Sequence, residues 1–211
     1  MKNKLLAVVM LVTLTLAGCG GGGDVVVTVT PTSSVSHILS DPLLDGDIEV
    51  NGGTTIIRQG NTQSVFIGID PLTLSETRAF LDFPLASIPL GAVISSATLD
   101  IVVDSLQPFA ASVPVLVDLV SYPQPLDPVD FSRIFFATTV ITPPIASPDI
   151  NNHVTVNVTG LMQEAQNRGL ARFQVRLLKG GGGTATGLVQ INDTTGVNRA
   201  SLAPQLTVIY F

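Results

Sequence analysis

The segment RAFLDFPLASIPLGAVISSATL, residues 78–99, contains two apolar runs separated by a turn. The runs, which extend over 77–83 and 97–104, are rich in the aromatic, β-branched and aliphatic side chains that favour strands. Pro89 fixes a backbone angle that suits a turn, and Gly91 permits turn conformations that other residues avoid. This segment therefore predicts a strand, a turn and a second strand.

Similar short runs continue along the chain at a spacing of about 8–12 residues, which is typical of a β-sandwich. In residues 113–119 every odd position is apolar, as expected for a strand with one buried face. We expect Leu81 and Leu99 to lie in the core. The further predicted strands cover residues 54–58, 64–69, 113–121, 134–141, 154–158, 172–178, 187–192 and 205–211.

One segment, residues 160–168, has the composition of a short helix instead. Thr159 is a suitable N-cap for it, and Gly169 suits the left-handed conformation that ends many helices. We expect this helix to cover an open end of the sandwich. The sequence thus predicts one all-β domain over residues 45–211, an antiparallel β-sandwich with one short helix.

The composition excludes some partners. Hydrophobic residues make up 45% of the chain and charged residues 12%, so a sizeable core is possible. The net charge is −6, and removal of Lys2 and Lys4 with a leader would leave 8 basic against 16 acidic residues, or −8. Such an acidic surface repels nucleic acid and also opposes peripheral binding to anionic lipid.

The N-terminus has the pattern of an export signal that ends at a cysteine. Two lysines precede an apolar run over residues 5–16, which is too short to span a membrane as a helix. The run ends in Leu16-Ala17-Gly18-Cys19, which resembles the lipobox of bacterial lipoproteins. The alternative is an ordinary secretory signal with a chance cysteine.

The lipobox resemblance implies that residues 1–18 are a cleaved signal peptide and that the Cys19 thiol carries diacylglycerol. Two or three acyl chains anchor a protein stably, because each buried CH₂ contributes about 0.8 kcal/mol. The partner of Cys19 is then the lipid bilayer. Gly20, which is not an aspartate, implies export to the outer membrane or cell surface.

Residues 19–44 are predicted to be a flexible tether, because a glycine run at 20–23 is followed by a stretch rich in Thr, Ser and Pro. The glycines do not form a phosphate-binding loop, since no Gly-Lys-Ser/Thr follows them. His37 lies within this predicted tether.

Three parts of the chain resemble the DNRLRE domain family, which overlaps a family of bacterial carbohydrate-binding modules. The first is the strand–turn–strand of 78–99, which matches the family's "sIPxGAxI" and "SAxL" pattern. The second is the strand at 154–159, similar to its "VDVT" strand, and the third is the closing strand at 204–210, similar to its "PxLxVxY". The resemblance covers about 45–211 and implies a jelly-roll-like sandwich that binds carbohydrate.

The chain departs from this family in its aromatic residues. Family members commonly carry tryptophan in the central segment, whereas this chain has no Trp and only two Tyr. Sugar recognition typically uses flat aromatic faces. Tyr122, in a proline-rich loop, is the aromatic residue best placed for that role. Alternatively, its ring packs against Pro123 or Pro125 and only shapes the loop.

Asp45, Asp47 and Glu49 form the densest acidic group, at alternate positions of one segment. Their oxygens could bind a structural Ca²⁺, although the segment does not match an EF-hand loop. The alternative is a solvated acidic start of the domain. No other cofactor is predicted.

No catalytic constellation is apparent. His153 stands outside any spaced ligand set, no Gly-x-Ser-x-Gly motif occurs, and Cys19 is used by the lipid. We therefore expect a non-catalytic lipoprotein whose sandwich binds polysaccharide or envelope glycan. The alternatives are a structural or adhesive protein that contacts envelope proteins and, third, a carbohydrate-active enzyme.

Overall fold

The computed structural model describes residues 32–108, 112–181 and 185–211. The predicted signal peptide and Cys19 lie outside the described residues. The strands are β1 (Ser34–Leu39), β2 (Gly46–Asn51), β3 (Thr54–Gln59), β4 (Ser64–Ile69), β5 (Glu76–Pro84), β6 (Ile94–Gln107), β7 (Val115–Val120), β8 (Ala137–Val140), β9 (His153–Asn157), β10 (Arg172–Lys179), β11 (Gly187–Asn192) and β12 (Gln205–Tyr210). The helices are α1 (Thr159–Asn167) and α2 (Arg199–Leu202).

The strands pair antiparallel in the order β1-β12-β6-β11-β4-β5-β10-β7-β8, with the β2–β3 hairpin joined to β5 and with β9 joined to β6. The 14-residue strand β6 links the two parts of the sheet. Its first half pairs with β12 and β9, and its second half pairs with β11. The sheet curls into a half-barrel, which confirms the predicted all-β sandwich.

The first strand of the described residues lies earlier in the chain than the sequence predicted. Residues 34–39, inside the predicted tether, form β1 and pair with β12 from Ser34↔Tyr210 to Leu39↔Gln205. The backbone groups of β1 are satisfied by the edge of β12, a partner about 170 residues away in the chain. His37 is thus part of the sheet, where its Nδ1 lies 3.1 Å from Thr207 Oγ1.

The main core lies on the concave side of the sheet. Leu81 and Leu99 are fully buried there, as predicted. In β5 the alternate residues Ala79, Leu81 and Phe83 face this core, and Phe83 contacts the ring of Phe173 at a centroid distance of 6.2 Å. Alternation with a period of two is what places these side chains on one face.

A second, smaller apolar cluster lies on the other face of β5. Phe80 occupies its centre, and the β2–β3 hairpin contributes Ile48 and Ile57. The middle of β5 is therefore buried on both faces, which explains its apolar run Ala-Phe-Leu at residues 79–81.

Helix α1 has its predicted position and buried face. Leu161, Met162 and Ala165 are buried against the sheet. Gly169 ends the helix with a φ of 65°, a conformation that favours glycine. Thr159 lies inside the helix and is not its N-cap. Its Oγ1 accepts a hydrogen bond from the Ala97 N–H at 2.9 Å. A second helix, α2, was not predicted.

No helix among the residues that the structure describes is long and apolar enough to cross a membrane.

Candidate functional site

Tyr122 is not the exposed aromatic residue that the sequence analysis expected. Its side chain is 5% exposed, and its ring packs edge-on against Phe80 at a centroid distance of 5.4 Å. Gln174 holds the backbone from both sides, since its Oε1 accepts from Tyr122 N–H at 3.0 Å and its Nε2 donates to Tyr122 O at 3.2 Å. A ring buried in this way is not available to stack on a sugar.

Asp47 and Glu49 lie on one side of β2, as their spacing indicated, but an arginine occupies the space between them. Arg58, in the neighbouring strand β3, donates to Asp47 Oδ1 at 2.8 Å and to Glu49 Oε2 at 2.8 Å. Burial raises the pKa of Asp47 to about 6, against the lowering effect of Arg58. The Arg58 hydrogen bond lowers the pKa of Glu49.

Asp45 is fully buried and faces a second carboxyl group. Its Oδ1 accepts the Asp82 N–H at 2.8 Å. Its neighbour Asp193, which is also fully buried and follows β11, is close enough for its charge to raise the pKa of Asp45. Asp45 Oδ2 and Asp193 Oδ1 have no hydrogen-bond donor from elsewhere in the described chain. Two neighbouring buried carboxyl groups cannot both ionise without strong repulsion, which favours the protonated form of at least one of them.

The pKa values of this pair follow from its burial. Desolvation, together with the charge of Asp193, raises the pKa of Asp45 well above its usual range. Burial raises the pKa of Asp193 to about 6, although Thr62 donates to its Oδ2 at 3.2 Å and lowers it. Arg199 Nη1 lies 3.7 Å from Asp193 Oδ1 and compensates part of the charge.

The structure gives Asp45, Asp47 and Glu49 different partners. Asp47 and Glu49 are paired with Arg58, and Asp45 is paired with Asp193. Within residues 32–108, 112–181 and 185–211, no group of three or more His, Cys, Asp or Glu residues is arranged to hold a metal ion. The acidic segment is not a solvated start of the domain either, because Asp45 and Asp47 are fully buried.

The two histidines also have structural partners. His153 Nδ1 lies 2.8 Å from Asp100 Oδ2 across the β6–β9 pair, and His37 contacts Thr207.

The loop between β7 and β8 exposes three large apolar side chains, one of which is aromatic. We call residues 127–136 the presented loop. Ile134 is 84% exposed and Phe135 is 48% exposed, and Val129 is also exposed. The sequence had predicted a strand from residue 134, but β8 begins only at Ala137. Residues 134–136 therefore belong to the loop.

Two arginines, the buried Arg176 and the half-buried Arg78, hold the backbone of the presented loop. Arg176, from β10, donates its Nη1 to Phe131 O at 3.1 Å and to Arg133 O at 2.8 Å. Its Nη2 forms a buried ion pair with Asp118 of β7 at 2.7 Å. Arg78 also donates to Phe131 O and lies over the Phe131 ring at 3.9 Å.

The first turn of the loop is closed by its own aspartates. Asp127 accepts the Val129 N–H at 3.0 Å, and Asp130 accepts the Asp127 N–H at 2.9 Å. Asp130 is fully buried and accepts from Arg133 Nε at 2.6 Å. The backbone is thus fixed on both sides while Val129, Ile134 and Phe135 face solvent.

A shallow cleft of about 420 Å³ adjoins the presented loop. Hydroxyl groups and a guanidinium group share its wall with aliphatic and aromatic side chains. The lining residues are Ser121, Val129, Ser132, Arg133, Ile134 and Phe136. Such a mixture suits an apolar anchor surrounded by polar contacts.

A separate apolar pocket of about 270 Å³ lies between the loop that follows β5 and the end of α1. The loop contributes Leu85, Ile88 and Leu90, and the helix contributes Met162. Gln166, the polar side chain in this lining, donates to Ala92 O and so ties the helix to the loop.

Comparison with known proteins gives no relative: no family model matches the chain, and no curated protein is significantly similar to it.

Proposed function

We propose that this protein is an exported, lipid-anchored, non-catalytic component of a bacterial cell envelope whose β-sandwich binds a partner protein through the presented loop. The observation that carries the proposal is the presented loop itself, in which Arg176 and Arg78 fix the backbone and apolar side chains are exposed. The lipid anchor and the outer-membrane or cell-surface location rest on the lipobox at Leu16-Ala17-Gly18-Cys19.

The physical argument concerns the cost of binding. Ordering a mobile loop at an interface consumes binding energy, and a loop that is already fixed avoids that cost. Large apolar side chains that enter a partner's pockets supply most of the affinity of an interface. Ile134 and Phe135 have this character, and Arg133 beside them is a residue type enriched in such positions.

The second candidate function is glycan binding at the same place. Phe135 is a half-exposed ring, and Ser132 and Arg133 in the adjacent cleft could fix the orientation of a sugar. The resemblance to carbohydrate-binding modules supports this candidate. The burial of Tyr122 removes the aromatic contact first expected for it and makes the partner protein the stronger proposal.

The anchor is tested by the substitution Cys19→Ser. Without the thiol no diacylglycerol can be attached, so we expect the variant to appear as an uncleaved or soluble precursor. Intact-mass spectrometry of the membrane fraction measures the acyl mass on the wild-type protein. A wild-type protein that begins at another residue and carries no lipid would contradict the proposal.

The presented loop is tested by photo-crosslinking in cells. A photoreactive residue at Ile134 should give one discrete protein adduct, whereas the same residue at Val197, which is also exposed but lies beside α2, should give none. Ile134→Asp should weaken binding of the identified partner by about 2 kcal/mol, roughly thirtyfold in Kd, with folding unchanged.

The two candidates differ in this experiment. Equal adducts at positions 134 and 197 would contradict binding through the presented loop. Retention on a glycan array that is lost in Phe135→Ala, without any protein adduct at position 134, would favour the second candidate.

A further inference from the structure

One end of the sandwich has an unusually apolar surface. Leu90, at the tip of the loop that follows β5, is 92% exposed, and Val93 in the same loop is also exposed. The apolar pocket opens beside Leu90. We call this surface, formed by residues 85–93 with Val35 and Phe211, the apolar end.

The backbone brings the parts of the apolar end together. Val93 and Phe211 exchange two hydrogen bonds, of 3.0 and 3.1 Å, so they form a direct cross-strand pair. Val35 lies opposite Ile209 in the β1–β12 register. Val35, Val93 and Phe211 are all exposed. The first residues of β1 therefore lie beside the end of β12, which Phe211 follows.

The same end lacks charge in a chain that carries 26 charged residues, 10 basic and 16 acidic. Among the described residues of this end, no Asp, Glu, Lys or Arg occurs at 32–36, 83–99 or 200–211. On the adjacent helix α1, Glu164 and Arg168 form an ion pair of 2.6 Å, so their charges compensate each other. The repulsion that the acidic chain exerts on anionic lipid is thus weakest here.

The connection to the anchor leaves the domain at this end. Twelve residues, 20–31, separate Cys19 from Thr32, the first described residue. Twelve residues reach at most about 40 Å when fully extended, and a coil of that length spans about 20 Å on average. A domain of this size has a diameter of about 40 Å. The apolar end is therefore the part of the domain that a lipid on Cys19 brings closest to the membrane.

We propose that the apolar end, with Leu90 and Val93 at its tip, contacts the lipid bilayer to which Cys19 is attached. The inference rests on the proposed lipid anchor. Apolar side chains gain free energy when they leave water for the acyl boundary, and the covalent anchor holds them close enough for this weak contact to form. The sandwich then stands on the membrane in a fixed orientation and does not tumble on its tether.

The chain offers a matched pair of sites for the test. Leu72 is 88% exposed, like Leu90, but it precedes β5 whereas Leu90 follows it. The nine residues of β5 separate the two leucines by about 30 Å. Because Cys19 is the chain's only cysteine and carries the lipid, Leu90→Cys and Leu72→Cys each introduce a single free thiol for a polarity-sensitive dye.

The lipidated full-length variants are reconstituted in vesicles of phosphatidylethanolamine and phosphatidylglycerol. We expect the dye at position 90 to shift to shorter wavelength and to be quenched by nitroxide-labelled lipid, and the dye at position 72 to show neither effect. Adding the two substitutions Val35→Ser and Val93→Asp, both at exposed positions, to the Leu90→Cys protein should abolish the shift while the protein still floats with the vesicles.

The outcomes separate this inference from the anchor. Protein that floats with the vesicles while both dyes report water would overturn the contact and leave the anchor intact. Equal shifts at positions 90 and 72 would also overturn it. Protein that fails to float would contradict the lipid anchor itself, and the inference with it.

Discussion

Leu81→Ala and Leu99→Ala should each lower the free energy of unfolding by about 2–5 kcal/mol. Both side chains are fully buried in the main core, one in β5 and the other in β6. Truncation to alanine removes the transfer free energy of three carbon atoms and leaves a cavity that the neighbours fill only in part. β5 and β6 pair with several other strands, which restricts their movement into that cavity.

Chemical denaturation at constant pH measures this loss for each variant. Leu72→Ala is the matched control, because the same truncation at an exposed leucine should change the free energy of unfolding by less than about 0.5 kcal/mol. If Leu81→Ala and Leu99→Ala both behaved like this control, the assignment of their strands to the core would be wrong.

The sequence predicts best those strands that carry their own signals. β4 and β11 have the predicted bounds, 64–69 and 187–192, because alternating apolar residues are flanked by turn residues in both. β1 was assigned to the tether, since its sequence SVSHIL follows a run of Thr, Ser and Pro. Its strand conformation depends on the edge of β12, and no local pattern reports a partner so distant in the chain.

The surroundings of Tyr122, Asp45 and Asp47 could not be predicted for the same reason. Tyr122 stands in a proline-rich loop that looks exposed, but the side chains that bury it, Phe80 and Gln174, are 42 and 52 residues away. Asp45 and Asp47 look like a solvated group until Arg58 and Asp193 are placed beside them.

The presented loop was only partly visible in the sequence. The Asp-Pro pair at 127–128 is a start signal for a helical turn, and it could have located the beginning of the loop. The carbonyl contacts of Arg176 could not be predicted, because they depend on the register of β10 beside β7. The exposure of Ile134 follows from those contacts.

The free energy of unfolding should fall as the pH rises from about 4 to 7, through the Asp45–Asp193 pair. An unfolded aspartate has a pKa of about 3.9, whereas burial raises that of Asp193 to about 6 and that of Asp45 well above its usual range. The folded state therefore binds more protons than the unfolded state between these values, and stability is lost as they leave. A shift of about two units at Asp193 corresponds to a loss of about 3 kcal/mol.

Asp45→Asn isolates the contribution of the pair. The amide oxygen can still accept the Asp82 N–H, but the side chain cannot ionise. We expect the variant to unfold with a free energy within about 1 kcal/mol of wild type at pH 5 and to be about 1–3 kcal/mol more stable at pH 8. Asp47 contributes a slope of the same sign in both proteins, so it cancels in the comparison.

Urea denaturation of both proteins from pH 4 to 8 measures the two slopes. Asp127→Asn is the control, because Asp127 is exposed and asparagine caps a helical turn as well as aspartate does, so this variant should retain the wild-type slope. The direction in which the free energy of unfolding changes with pH tests this prediction. A wild-type protein that gains stability from pH 5 to 8, or an Asp45→Asn variant with an unchanged slope, would mean that burial does not raise the pKa values of these two carboxyl groups. If the free energy of unfolding changes less with pH in Asp45→Asn but not in Asp127→Asn, the pH dependence comes from this pair. The pair lies between the segment before β2 and the segment after β11.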